Sequence, residues 1–407
     1  MDILIIKLAA LGDVLRTTSI LPGIRKKYPE ANIAWLTKEN AIDLFHGNPF
    51  VNEIYRYNPA NLIKLSRRRF DWVINLDEDY ETASLASSIR TNKLTGFYLN
   101  NEKKVMPTRT AKELYDMSAL GEKPNNDLLK KKNKKTVPQI LYEILELKYE
   151  KQEPFFRLNQ YQKTLASDFK RRYNISENDL VIGINTGAAD RWPKQLSVQK
   201  TAQLMRLLHK DLNAKLVLFG GPNEVARNNE IIANAGVPLI NAGCGNDLKE
   251  FPALVSVCDL FITSDSLGLH VAIALKRKTV SFFGPTSAAE IETYGFGEKV
   301  VSKSDCYCCY KPSCKATEAI TPQIVYKAVE KILKQKVYVL IAAFKETNLN
   351  KSVDAFLNQT YDGEYEIIVV CPDTDKDQIS KPIVDQYKYK NVRWFKDPGK
   401  GKSYALN

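Results

Sequence analysis

Thr263-Ser264-Asp265-Ser266-Leu267-Gly268-Leu269-His270 follows directly on an apolar strand, Leu260 to Thr263, and runs into a helix read from Leu267 to Leu275. The first amides of such a helix have no partner inside it, and together with the macrodipole they favour an anion such as a diphosphate. Ser266 adds a hydroxyl there, and Gly268 a position without a side chain that suits close approach by phosphate, with Leu267 between them. Asp265 either caps the helix or orients donors, because a bare carboxylate beside phosphates repels them unless it is paired. His270, one of only three histidines, either donates a hydrogen bond to a phosphate or is a satisfied, partly buried residue.

The neighbouring loops share this placement. Phe283-Gly284-Pro285-Thr286 ends the next strand, Thr279 to Phe283, with a Gly-Pro turn and a hydroxyl. Phe219-Gly220-Gly221-Pro222 ends the strand Lys215 to Phe219 and can pass close against a base or ribose. Thr186-Gly187 ends the strand Leu180 to Asn185 and is followed by Arg191, Trp192, Pro193 and Lys194, whose cations can neutralise a leaving diphosphate. Each loop alone reads as a turn; four at one sheet edge read as a nucleotide site. With a short strand near Pro238 to Asn241 and helices at 199–209, 224–235, 248–257 and 267–275, five strands alternate with helices in a doubly wound α/β lobe.

Upstream, the strand Ile3 to Lys7 gives way to Lys7-Leu8-Ala9-Ala10-Leu11-Gly12-Asp13-Val14-Leu15-Arg16-Thr17-Thr18 and one helix carrying Leu15, Ile20, Leu21 and Ile24 up to Pro29. The spaced glycines of a dinucleotide fingerprint are missing. The Gly12-Asp13 pair faces a cleft between lobes, where Asp13 either takes a proton from an acceptor hydroxyl or simply caps the helix. Strands at Ile33 to Leu36 and Trp72 to Leu76 and a helix from Val137 to Leu147 complete what can be read of this lobe; residues 100–135 read as excursions around its sheet. The charged stretch Ser167 to Asn178 reads as a linker, which gives lobes over 1–168 and 177–335 and a third segment over 336–407.

That segment holds strands Val337 to Ala342, Tyr365 to Val370 and Val392 to Phe395, with helices Asn350 to Leu357 and Lys381 to Tyr387 between them. Three strands make only part of a parallel domain, so a truncation after Gly399-Lys400-Gly401-Lys402 is expected.

With 407 residues, 44% hydrophobic and 26% charged, the chain is an ordinary globular protein of two or three domains. The first apolar run breaks too early for a signal peptide and none is long enough to span a bilayer, so a cytoplasmic protein is expected. A net charge of +12 favours anionic partners. The run Lys130-Lys131-Lys132-Asn133-Lys134-Lys135 reads as a solvated loop or as a face toward an acceptor or the anionic inner surface of the cytoplasmic membrane. Aromatic residues do not interleave with it, which speaks against nucleic acid.

In their order, the Lys-Leu-Ala-Ala-Leu-Gly-Asp, Thr-Gly with Arg-Trp-Pro-Lys, Phe-Gly-Gly-Pro, Asp-Ser-Leu-Gly-Leu-His and Phe-Gly-Pro-Thr stretches resemble the ADP-heptose:lipopolysaccharide heptosyltransferases, glycosyltransferase family 9, over roughly residues 1–335. The resemblance implies a GT-B fold of two Rossmann-like lobes and inverting transfer from ADP-heptose or another nucleotide sugar to a glycan or lipid-linked acceptor, with no cofactor or metal required. It implies Asp13 as the acceptor-activating base, Lys194 as the cation near the donor phosphates, and Asp265, Ser266, Gly268 and His270 as the donor pocket, with Thr186 and Thr286 nearby. Gln195-Leu196 after Lys194 departs from the family pattern, as does the basic insert after residue 120. A nucleotide-sugar epimerase of GT-B type and a binding or scaffold protein without catalysis are the alternatives. From Val337 on, Ile341-Ala342-Ala343-Phe344-Lys345-Glu346, Asn358-Gln359-Thr360-Tyr361 and Gly401-Lys402-Ser403-Tyr404-Ala405-Leu406-Asn407 resemble the start of a family 2 glycosyltransferase, a truncated GT-A-like segment in which Cys371-Pro372-Asp373 partly replaces the usual acidic run.

Seven cysteines in such a chain do not make a disulfide scaffold. Four crowd into Cys306-Tyr307-Cys308-Cys309-Tyr310-Lys311-Pro312-Ser313-Cys314. Zinc or iron-sulfur ligands, a disulfide and free thiols are all open readings; the lack of paired Cys-x-x-Cys spacing favours free thiols in a lobe-tip loop.

Overall fold

A computed structural model describes residues 1–188, 191–334, 337–359, 365–371, 378–387 and 391–396. The chain divides into two compact units, Met1–Val329 and Glu330–Asn407. In the first unit, one sheet contains β1 (Asp2–Ile6), β2 (Asn32–Thr37), β3 (Glu53–Arg56), β4 (Arg69–Asn75), β5 (Arg90–Leu99) and β6 (Val105–Pro107), in the order β3-β2-β1-β4-β5-β6. A second sheet contains β7 (Val181–Asn185), β8 (Lys215–Phe219), β9 (Ile240–Gly243), β10 (Leu260–Ser264), β11 (Lys278–Phe283) and β12 (Gly297–Val301), in the order β12-β11-β10-β7-β8-β9. Pairing is parallel except between β5 and β6. Each order reverses once, between β1 and β4 and between β7 and β10. Loops leave such a reversal in opposite directions and open a crevice beyond the carboxyl ends.

β1 shows why the sequence chooses this architecture. Ile3 and Ile5 pack on one face with Val14, Leu15, Ile20 and Ile24, while Leu4 and Ile6 pack on the other with Leu65, Phe70 and Val73. Burial on both faces demands a continuous apolar run, and each such side chain contributes about 1.5–3 kcal/mol of transfer free energy.

Several expectations are corrected. The first helix is two, Leu11–Thr17 and Ile20–Lys27. The Thr18 hydroxyl donates to the Leu15 carbonyl (2.7 Å) and accepts the Phe155 amide (3.1 Å), which tightens the chain between them. The first half of the stretch read as a linker is the end of the helix Gln160–Arg172, which a reciprocal Asn159–Gln162 capping box closes at its start. Its charged composition conceals a narrow apolar stripe: Ala166, Phe169 and the following Tyr173 pack on the core. The second lobe has six strands rather than five, because β12 is too charged to read as one. β3 and β5 escape reading for the same reason.

In Glu330–Asn407, β13 (Val337–Ala342), β14 (Tyr365–Cys371) and β15 (Val392–Lys396) pair in parallel in chain order. Leu349, Val353 and Val384 from the helices Leu349–Leu357 and Ser380–Asp385 cluster with Ile367, Val369 and Val392. Thr360, Tyr361, Pro372, Asp373 and residues 397–407, which carry part of the second resemblance, lie outside the described residues.

Candidate active site

At the reversal in the first sheet, Lys7 follows β1 and Asp77 follows β4. Lys7 Nζ donates to Asp77 Oδ1 (2.5 Å) and the Leu8 amide to Oδ2 (2.5 Å), so one carboxylate ties both strand ends. The next turn starts the helix Leu11–Thr17, whose N-cap is Ala10. Asp13 therefore is not a cap: it stands in the first turn, and Arg16 donates to its Oδ1 at 2.5 Å. The Asp13 side chain keeps 40% of its surface accessible, against 17% for Arg16.

At the reversal in the second sheet, Asn185 organises the loops. Its Nδ2 donates to the Gly187 carbonyl (3.1 Å), Thr263 Oγ1 (3.0 Å) and Ser266 Oγ (3.2 Å), and its Oδ1 accepts the Gly187 amide (3.2 Å). Ser266, not Asp265, is the N-cap of the helix Leu267–Ala274, and its side chain makes no capping bond. Asp265 instead pairs with Lys194, whose Nζ donates to the Asp265 carbonyl (2.6 Å) and Oδ2 (3.2 Å). The pairing removes the repulsion an isolated carboxylate would present to phosphate. Arg191 is exposed and lies 4.6 Å from the Trp192 ring centroid.

The loop glycines are closely packed. A Cβ at Gly268 would lie 2.9 Å from Asn185 Nδ2 and 3.1 Å from Phe261, and one at Gly284 would lie 2.7 Å from the Thr317 amide nitrogen. Both directions point into the lobe, so a side chain at either position would disturb the packing behind the loop. Gly220 would meet Asn228 at 2.7 Å and Gly221 Glu224 at 3.0 Å. Glu224, buried, accepts from the Gly221 amide (2.8 Å) and from Gln195 Nε2 (2.9 Å), and Thr186 spends its hydroxyl on Asn228 (2.6 Å). Gln195, the departure from the family pattern, thus braces the loop after β7 against the loop after β8. The buried Thr286 hydroxyl lies beside Asp265 without a well-formed hydrogen bond.

The lobes meet at Gly12 and His270. A Cβ on Gly12 would lie 2.6 Å from His270 Cδ2, so the missing side chain admits the imidazole. Burial pushes the His270 pKa down to about 4, with Arg16 and Lys194 adding to the effect and Asp265 and Asp13 opposing it. Burial pushes the Asp13 carboxyl up, but Arg16, Lys7, His270 and the Ala10 amide outweigh it and hold it below the ordinary carboxylate range. Asp265 is likewise pushed up by burial and held low by Lys194, His270 and Arg16. At neutral pH the cleft presents a neutral imidazole and two ionised carboxylates.

Sequence reading named several of the residues around this centre but could not bring them together. Lys130, at the end of the helix Asn125–Lys132, lies 4.0 Å from the Tyr310 ring centroid in the other lobe, so this member of the basic run is neither loop nor freely solvated. Tyr310 packs edge-on to Trp192 at 5.2 Å and donates to Glu290 (3.1 Å). Burial pushes the Glu78 and Glu290 carboxyls up, opposed in part by Lys7 and Lys130 at Glu78 and by Lys130 and Arg16 at Glu290. All seven cysteines are free, and among the described residues no group of three or more His, Cys, Asp or Glu is placed to hold a metal ion. No described helix is long and apolar enough to cross a membrane.

The family described as glycosyltransferase family 9 (heptosyltransferase) matches residues 61–320. Lipopolysaccharide heptosyltransferase 2 of Escherichia coli (strain K12) is 24% identical over 317 residues, 70% of this chain and 84% of that protein. Of solved structures, the family 9 glycosyl transferase of Veillonella parvula DSM 2008 aligns at TM-score 0.66 and 21% identity, over 81% of this chain and 96% of its own. E. coli ADP-heptose lps heptosyltransferase II aligns at TM-score 0.56 and 20% identity, over 82% of this chain and 98% of its own. The two six-stranded lobes are a GT-B-like fold.

Proposed function

The chain belongs to glycosyltransferase family 9, the heptosyltransferases, and from that premise we propose that it moves a heptose or related sugar from a nucleoside-diphosphate donor to the hydroxyl of a glycan or lipid-linked acceptor, with inversion at the anomeric carbon. The observation that carries this reading is the meeting of the lobes at Gly12 and His270, which sets Asp13, next to Gly12, and the Lys194–Asp265 pair, ahead of the His270 helix, on the same cleft. Asp13 is ionised and partly open to the cleft, so it can accept the proton of an attacking hydroxyl. As the acceptor oxygen bonds to the anomeric carbon, the bond to the diphosphate breaks on the opposite face. The charge that develops there is stabilised by Lys194 and by the first amides of the helix Leu267–Ala274. The description of a solved neighbour as an ADP-heptose enzyme supports ADP-heptose as the donor. Asp13→Asn tests the assignment: transfer, followed as ADP release in the presence of acceptor, falls about 10²- to 10⁴-fold while nucleotide affinity holds. A variant that transfers at the wild-type rate sinks the role of Asp13.

For Glu330–Asn407 we infer a GT-A-like nucleotide-binding segment, a reading supported by three parallel strands paired in chain order with helices between them. Slower hydrogen exchange across 365–371 when UDP is added to the full chain supports it; exchange indifferent to every nucleotide contradicts it.

A further inference from the structure

The cysteine-rich segment takes no part in the chemistry above, yet it is tied to the cleft from two sides. The Tyr307 hydroxyl accepts the Ala288 amide (2.9 Å), and the Tyr310 hydroxyl accepts the Ser287 amide (3.1 Å) and donates to Glu290 (3.1 Å). At its far end, the Thr317 hydroxyl donates to the Pro193 carbonyl (2.7 Å), next to Lys194. Inside this arch, Cys306 and Cys314 bring their sulfurs to 3.7 Å, and Cys314 Sγ also lies 3.4 Å from the Cys306 carbonyl. A disulfide needs about 2.05 Å, so the two sulfurs have less than about 2 Å to close. We propose that Cys306 and Cys314 form a reversible disulfide site, oxidised by exchange with a small-molecule disulfide, and that closing it fixes the tyrosine arch on the 287–290 segment at the edge of the cleft.

The two thiols are unequal in the way such an exchange requires. Cys306 is partly exposed, and the Ser304 hydroxyl, 3.3 Å from its sulfur, together with the Lys315 amide, holds its thiol below the ordinary range. Cys314 is buried, and burial pushes its thiol up to about 12. Cys306 as thiolate attacks one sulfur of the small disulfide and releases one thiolate, leaving a mixed disulfide. The Cys314 sulfur then attacks Cys306 Sγ and displaces the second thiolate, which takes up the Cys314 proton. Two protein thiols lose two electrons, and the small disulfide is reduced to two thiols. Cys308 stands apart, its amide bonded to the Gly284 carbonyl (2.9 Å) and its thiol buried and pushed up to about 11.

The test treats the full reduced chain with oxidised glutathione and maps the products by peptide mass. The expected result is the loss of two of the seven thiols in one Cys306–Cys314 bridge, reversed by dithiothreitol. Hydrogen exchange at the Ser287 and Ala288 amides is then expected to slow by about threefold or more. Cys306→Ser abolishes the bridge, whereas Cys314→Ser leaves glutathione trapped on Cys306. A bridge from Cys314 to Cys309, a wild-type chain that stops at the mixed disulfide, or exchange at 287–288 that ignores the bridge overturns the proposal.

Discussion

The burial of His270 gives the protein a pH dependence of definite sign. An imidazole titrates near 6.5 in the unfolded chain and near 4 in this fold. Between those values the unfolded chain binds the extra proton and the folded chain refuses it, so stability falls as pH drops from 6.5 to 4, by on the order of 1–3 kcal/mol. Asp13 and Asp265 act lower: their folded values lie below 3.8, so what they contribute is present above that pH and lost beneath it. His270→Gln should flatten the urea-midpoint profile between pH 6.5 and 4; parallel profiles for variant and wild type would refute the account. At this scale the sequence shows residue types and not their partners. Asp13, Lys194, Asp265 and His270 stand out in their motifs, but nothing in a motif shows that Lys194 reaches Asp265 across 71 positions or that Gly12 makes room for the imidazole. The contrast between a capping Asp265 and a capping Ser266 depends on one backbone turn, which residue preference alone does not fix.

Elements were legible where one physical cause dominated. β1, β7, β8, β10 and β11 are buried on both faces and read as unbroken apolar runs. β3, β5 and β12 carry charged residues on partly exposed positions, and the helix Gln160–Arg172 hides its packing stripe among lysines and arginines, so composition pointed away from both. The loops that join these elements depend on glycine for close contact, and Gly284 is the sharpest case. A methyl group there would press against the Thr317 backbone and the hydroxyl that holds the Pro193 loop. Gly284→Ala is expected to lower stability by about 1–3 kcal/mol in urea unfolding, the cost of overpacking a closed site. An unchanged midpoint would show that the loop yields freely and that the close approach has no energetic role.

At the scale of the whole molecule, the alternation of strands and helices and the order of the motifs were enough to expect two lobes around a cleft. The contacts that close the cleft were not, because they depend on how one lobe is set against the other. The Val137 amide donates to the Glu290 carbonyl (2.9 Å), Gln162 to the Leu248 carbonyl (3.1 Å), and Lys130 rests on Tyr310. No local pattern encodes a pairing of that kind. This assembled cleft is proposed to hold a nucleoside diphosphate through Lys194 and the helix start after Asp265. Calorimetric titration of the full chain with ADP, GDP and UDP, first without and then with divalent metal, tests it most directly, with Lys194→Met beside the wild type. The account predicts that one diphosphate, ADP, binds without metal and that the variant weakens it about tenfold or more, the loss of one charge-assisted contact. Binding that requires metal, that ignores Lys194, or that occurs with none of the three nucleotides contradicts it.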